Sequence, residues 1–421
     1  VKARAIASLA LSWLALGAAA LTATESSGFL EARWDTFETG NRSSELWLEA
    51  NWTGRWQTSG WELACELSLL SDSGDAIAHD LSGRDAWFRL DDDALSRSRL
   101  RLDQFWLRWR PRQGNSPWFV QIGRLPIAWG VTDAIKPADA VMRFDWTDPL
   151  LERRLTPWAV RAVRRQLGYE LELFASEQPS ASRLPPQSGR WALGGSPTPE
   201  VASDLGPQFG ARWTWRRERV EGTLQWLDGS EDRFVPVFVP PAVVIVRDQR
   251  ARQMVGGAVW TYFGSVTART EIETSRLHGT AERDYRRTTG ALEFEWTTGR
   301  WRWIAGYARS WSSAAELDNQ AGLDRALLPV TYLHVERGSI TESKLSLEWI
   351  AGRDRQQLWR VEGSWPLPRD LRVTLRAESL SGDPESLLGR WQRNDRLTSV
   401  LRYSFSRSSQ SMASSTNAPG T

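Results

Sequence analysis

The chain of 421 residues has one cysteine, Cys65, three histidines, and lysine only at Lys2, Lys136 and Lys344. A lone cysteine closes no internal disulfide, and three scattered histidines leave little for metal chemistry. Mean hydropathy is −0.45, and nothing beyond the N-terminus approaches the ~20 consecutive apolar residues of a spanning helix. A polytopic helical membrane protein is therefore excluded. No block of like charge occurs, so the chain carries no nucleic-acid footprint.

What is present is arginine, acid and indole. The 53 basic residues are almost all arginine and face 51 acidic ones, and the 26 tryptophans are twice the 13 phenylalanines. That is far more indole than a soluble core needs. The composition suits one large β domain.

Lys2 and Arg4 precede an apolar run from Ile6 to Leu21 that contains Ala18-Ala19-Ala20. This is the pattern of a secretory signal peptide, expected over 1–20 with cleavage as late as 23. Without Lys2 and Arg4 the chain has 51 basic and 51 acidic residues. No cysteine follows the run, so a lipoprotein is not expected. The question becomes periplasm or outer membrane.

Period two runs through the rest. Leu46, Leu48, Ala50 and Trp52 alternate with Glu49, Asn51 and Thr53; Val266, Ala268, Thr270 and Ile272 with Thr267, Arg269, Glu271 and Glu273; Leu371, Val373, Leu375 and Ala377 with Arg372, Thr374, Arg376 and Glu378. Segments of about ten residues with one apolar and one charged face match transmembrane strands, apolar toward lipid and polar toward a lumen. Soluble antiparallel sheets alternate too. Tryptophans near strand ends (Trp213, Trp215, Trp296, Trp301) and connections that alternate between short and long favour a barrel, with its aromatic girdles and tight periplasmic turns. Outward positions include Trp52, Leu224, Val259, Leu347, Trp359 and Leu375. Arg55, Thr223, Arg269, Arg360 and Arg376 are expected to line the lumen.

Alternation and turn residues place seventeen strands between 29 and 406. A closed barrel with both ends in the periplasm needs an even number. The conflict falls at 312–340, and Leu328–Glu336 (LPVTYLHVE) supplies the missing strand, with Pro329 at its start where proline is tolerated. The expected fold is therefore all-β, a closed antiparallel transmembrane barrel of about eighteen strands over 21–406, with sixteen as the alternative count. Leu401, Tyr403 and Phe405 give the last strand spaced aromatics, similar to the signal read by the barrel-assembly machinery. A polar tail, 407–421, follows and is expected to be disordered.

One segment stands out. Gly123-Arg124 is followed by Trp129-Gly130, by Asp133, and by Lys136-Pro137-Ala138-Asp139. Over roughly 123–165 this resembles a porin-like family of proteobacterial outer-membrane proteins of unknown function, and more distantly the alginate-export channels. The family pattern tends to have Asn where this chain has Lys136. The resemblance implies a channel, with lipidic or polymeric cargo and an inner-membrane exporter as partner in some relatives.

The residues carry a reading of their own. The connection 125–156 is too long for a turn, dense in charge, and too apolar for disorder, with Trp129, Val131, Ile135, Val141, Met142, Phe144 and Trp146. It is expected to fold into the lumen and narrow it. Arg124, Arg143, Arg153 and Arg154 would then face Asp133, Asp139 and Asp145, with Trp129 and Lys136 beside them. Charged rings at a constriction set solute selectivity. The competing reading is a strut in which Arg124 pairs with Asp133. A second segment, 229–252, contains FVPVFVPPAVVIV (234–246), too short and proline-rich to span a membrane as a helix. It is expected to pack over the barrel mouth, with a hydrophobic ligand site or an extended hairpin as alternatives.

His79, His278 and His334 lie in no nucleophile-elbow or metal-ligand setting, so no enzyme, cofactor or metal is expected. The expected function is an outer-membrane channel of a Gram-negative bacterium, passing small solutes or lipidic or polymeric cargo through an Arg-rich lumen. A non-conducting component of an export system is the alternative, and a lipid hydrolase the remote one. Outer-membrane lipid and lipopolysaccharide are expected surroundings.

Overall fold

The computed structural model describes residues 24–408 apart from 38–43, 59, 73–87, 94–95, 112–115, 134, 146–147, 152, 178–189, 192–205, 240–241, 279–283, 314–326 and 339–340. At 72, 88–93, 96–100, 144, 232–239, 242–249 and 407–408 the description is of backbone only. The expected signal peptide and the tail from 409, like His79, Trp146 and Glu152, lie outside the described residues.

The strands are β1 (Glu25–Phe37), β2 (Ser44–Gln57), β3 (Trp61–Asp72), β4 (Phe88–Asp93), β5 (Ser96–Trp109), β6 (Trp118–Arg124) and β7 (Arg143–Asp145). Next come β8 (Arg153–Leu155), β9 (Trp158–Gln166), β10 (Tyr169–Ser176), β11 (Gln208–Arg217), β12 (Val220–Val239), β13 (Ala242–Phe263) and β14 (Val266–His278). The last are β15 (Tyr285–Thr298), β16 (Trp301–Ser312), β17 (Val330–Arg337), β18 (Lys344–Ala351), β19 (Gln357–Leu367), β20 (Leu371–Ser381) and β21 (Arg396–Ser408). One helical turn, α1 (Leu387–Arg390), capped by Ser386, precedes β21.

All of these except β4, β7 and β8 form the wall, each antiparallel to its sequence neighbour in the wall. The sheet closes where β1 pairs β21, from Glu25↔Ser408 to Phe37↔Arg396. That makes eighteen wall strands. The strand inferred from parity is β17, which begins immediately after Pro329. Closure is a physical necessity, because an open edge in hydrocarbon leaves backbone groups without partners. Tight turns at 167–168, 218–219, 264–265 and 299–300 mark one end, with the start of β1 and the end of β21 beside them; long connections occupy the other. By the convention of outer-membrane barrels the tight-turn end is periplasmic.

The faces follow the alternation. Leu224, Val259, Trp359 and Leu375 are exposed on the outside, while Thr223, Gln225, Glu271, Glu273 and Glu293 are buried within. Trp52 differs: it is 3% exposed, its ring lying over Gly54 against Trp56. Strand β5 breaks the period once. Leu102 faces Leu67 but Gln104 faces Glu66, so Asp103 bulges out of register. Both then serve the inner face, Asp103 accepting from Ser68 and Gln104 donating to Glu66 at 2.6 Å.

Strand β6 stops at Arg124, opposite Phe105 partway along β5. The chain thus leaves the wall at mid-height. Strands β12 and β13 do the opposite and pair from Val220↔Thr261 to Val239↔Ala242. Beyond Asp228 and Ala251 they pair only with each other among the described residues. The apolar stretch 234–246 therefore belongs to the paired arms of a long hairpin, the extended alternative, rather than to an irregular loop. Its β-branched residues favour the extended backbone that the adjoining wall strands already impose.

Candidate functional site

At the exit from β6, Gly123 has φ +132°, and a Cβ there would stand 2.1 Å from the Phe105 carbonyl oxygen. Only glycine fits that turn. Arg124 is 1% exposed and donates from Nε to Thr156 Oγ1 at 2.9 Å. The Leu125 amide bonds to the Pro157 carbonyl at 3.0 Å, closing the neck of segment 125–157.

The segment is held first by apolar burial. Leu125, Ile127, Trp129, Ala140 and Val141 form one buried cluster with Ala64, Trp106, Ala159, Phe174, Leu227 and Met254 of the wall. Removing this much apolar surface from water is the main favourable term for ordering the segment. Trp129 meets Phe174 edge-on at 5.3 Å, and its indole N–H donates to Glu172 at 3.1 Å. Glu172 also faces Arg161 at 2.8 Å and Arg212 at 3.3 Å. The Trp129 amide donates to Asp139 Oδ1 at 3.3 Å. Gly130 sits so close that a Cβ would lie 2.5 Å from Lys136 Cβ.

The next stretch docks on β14 to β16. Glu271 accepts from the amides of Val131 (2.8 Å), Thr132 (3.2 Å) and Ala138 (2.6 Å), and from the Thr132 hydroxyl at 3.1 Å. The Asp133 amide donates to Glu293 at 2.7 Å. The Asp133 carboxylate lies 3.1 Å from Arg302 and 3.7 Å from Arg269, which itself pairs with Glu293 and Glu295. The expected strut between Arg124 and Asp133 is therefore not formed. Arg124 is turned to Thr156, and Asp133 reaches wall strands that sequence distance hid.

The end of the segment docks on β1, β2, β5, β12, β19 and β21. Asp148 lies 2.7 Å from Arg396 and 3.1 Å from Arg33, and accepts the Leu150 amide at 3.2 Å. Burial alone would raise the Asp148 carboxyl, but Arg396 and Arg33 outweigh it and hold it at about 2. Arg360 donates to the Leu150 carbonyl at 3.0 Å, and Arg153 meets Glu49 at 2.5 Å. Arg101 faces Asp145 at 3.6 Å, and Arg143 donates to the Ser230 carbonyl (2.5 Å) and hydroxyl (2.8 Å). Arg143 and Asp145 lie in β7, which pairs with β8 apart from the wall sheet.

Of the opposed charges expected within the segment, Arg154 and Asp139 alone form an ion pair among the described residues, at 3.2 Å. Asp133, Asp145 and Arg153 pair with the wall instead. Lys136 forms no ion pair among the described residues, and its carbonyl accepts the Asp139 amide at 3.0 Å. Among the wall arginines, Arg269 is paired as above, Arg360 lies 2.9 Å from Glu348 and 2.7 Å from Glu378, and Arg376 lies 2.6 Å from Glu362. Arg55 is exposed near the tight-turn end, in register with Ala64 and Glu25.

Sequence reasoning did not single out Glu271, Glu293, Arg33, Arg302 or Arg396. Each stands at a polar position of an alternating strand, so the signal was a lumen position and nothing more. Among the described residues no cluster of His, Cys, Asp and Glu could hold a metal. His278 faces Asp284 at 3.1 Å and His334 faces Glu336 at 3.4 Å.

A closed eighteen-stranded barrel, apolar outside and ionic inside, defines a transmembrane β-barrel of the Gram-negative outer membrane. Solved structures of porins share this architecture. OccAB3 of Acinetobacter baumannii is 10% identical, covering 91% of this chain and 98% of its own, with a TM-score of 0.54. A BenF-like porin from Pseudomonas fluorescens Pf-5 is 12% identical over 91% and 98%, with a TM-score of 0.53. OccK3 (OpdO) of Pseudomonas aeruginosa is 12% identical over 91% and 95%, at 0.51. At such identities the likeness is one of fold. No family model matches the chain, and no curated protein matches it either. The resemblance of the Gly123–Asp133 stretch to a porin-like family and to alginate-export channels thus has no counterpart in these comparisons.

Proposed function

We propose that the protein is a channel for small polar solutes, with segment 125–156 narrowing its lumen. The observation that carries this reading is the span of the segment's anchors. It is bonded to Glu271 and Arg302 at one end and to Arg33 and Arg396 at the other, on strands far apart around the wall. The lumen beside it is lined by paired arginines and carboxylates, which favours polar solutes over lipidic or polymeric cargo. In a narrow passage fixed charges are poorly screened and act on ions of either sign. Trp129 and Arg124 anchor the segment, while Asp133, Lys136, Asp139, Arg143, Asp145, Arg153 and Arg154 supply the charge around the passage.

Single-channel recording in planar bilayers tests this. Arg143→Gln with Arg153→Gln should move the reversal potential toward cation preference, and Asp133→Asn with Asp139→Asn toward anion preference. Conductance that rises without a selectivity change identifies a strut. A wild-type barrel that conducts nothing overturns the channel reading in favour of a plugged export component.

A further inference from the structure

Three indoles and one guanidinium form a continuous stack on the outside of β15, β16 and β17, at the tight-turn end. Trp296 stands opposite Trp303, with rings stacked at 5.7 Å and 3°. Trp301 leans on Trp303 at 6.0 Å. Arg337, in register with Trp301, holds its guanidinium 5.5 Å from that ring. Arg337 has no carboxylate partner among the described residues. Arg300, in the adjoining turn, is 72% exposed and stands 3.6 Å from Glu342. Further up the same face, toward the membrane centre, Phe294, Leu292 and Tyr307 are exposed.

We propose that this is a binding site for one anionic glycerophospholipid of the inner leaflet. Its phosphate would sit on Arg337 and Arg300, its glycerol against the indole stack, and its acyl chains along Phe294, Leu292 and Tyr307. The layers match in order. A guanidinium belongs at headgroup depth and takes phosphate in a bidentate grip. Indoles favour the level just below, and the apolar side chains lie where hydrocarbon begins. The stack fixes the Arg337 guanidinium before any lipid arrives, which lowers the ordering cost of binding. Arg216, at the same end, is occupied by Glu221 at 2.7 Å. Arg164 lies over a single indole, Trp118, at 5.5 Å and lacks the stack. The tight-turn end faces the periplasm, so the leaflet concerned is the phospholipid one and not the lipopolysaccharide one. The site lies outside the barrel and does not depend on whether the lumen conducts.

Native mass spectrometry of the full chain in detergent, with phosphatidylglycerol and phosphatidylcholine of matched acyl chains, tests it. The folded state of each variant is checked by heat-modifiable gel mobility. The wild type should retain one phosphatidylglycerol in preference to phosphatidylcholine. Arg337→Gln and Arg300→Gln should each weaken that retention about fivefold. Trp303→Leu should weaken it too, while Arg164→Gln should not. Inorganic phosphate should not displace the lipid. Equal retention of the two lipids, an equal loss in Arg164→Gln, or displacement by inorganic phosphate overturns the proposal.

Discussion

Arg396 Nη1 lies 2.7 Å from Asp148 Oδ2, joining the last strand of the barrel to the segment after β6, 248 positions earlier. Arg33, on the first strand, reaches the same oxygen at 3.1 Å. Strands β1 and β21 are the pair that closes the wall, so one carboxylate staples both sides of the seam from within. Asp35 completes the group, accepting from Thr398 at 2.6 Å and facing Arg33 at 2.9 Å. All of these side chains are buried.

Asp148→Asn should destabilise the barrel by about 1–3 kcal/mol, because Arg396 and Arg33 lose a shared carboxylate while keeping Glu378 and Asp35. Urea titration in detergent micelles, followed by intrinsic tryptophan fluorescence, measures this. An unchanged midpoint would show that the seam closes without the staple.

The same carboxylate sets a pH dependence. Its folded pKa of about 2 lies below the ordinary 3.8, so its contribution is complete above about pH 4 and is lost as pH falls through 2. The stability gap between wild type and Asp148→Asn should be flat from pH 7 to about 4 and then shrink. A gap that instead closes between pH 7 and 5 assigns the effect to another group.

Glu271→Leu should free the stretch 131–138, since three amides and one hydroxyl lose their acceptor. Each buried donor left unpaired costs about 1–3 kcal/mol. Limited proteolysis of the folded barrel should produce a new cut within that stretch, and single-channel current should become noisier. A variant as resistant and as quiet as wild type would show that the apolar cluster around Trp129 holds the segment alone.

Gly123→Ala should impair assembly. The added methyl meets the Phe105 carbonyl, and φ +132° is strained for any residue with a Cβ. Heat-modifiable mobility after refolding reports the yield, and wild-type yield would mean that the exit from β6 can relax.

Val259→Arg or Leu375→Arg should cost about 2–4 kcal/mol by placing charge on the lipid face, and Arg376→Ala much less. Equal refolding yields for Leu375→Arg and Arg376→Ala would overturn the assignment of faces.

The sequence by itself determined the wall. Side-chain direction in a strand alternates with period two for covalent reasons, so Leu375 and Arg376 could be assigned to opposite faces without knowing any neighbour. Parity then placed a strand at Leu328–Glu336, because an all-antiparallel ring with both ends in the periplasm needs an even number of strands. The charged segment after Gly123 was likewise legible as a long connection rather than a turn, from its length and its mixture of indole and acid. Only the tertiary structure decided its partners. Asp133 meets Arg302 across 169 positions and Asp148 meets Arg396 across 248. No local rule couples such residues: which charges face each other inside a barrel depends on strand stagger around the whole ring, and that exists only once the ring has closed.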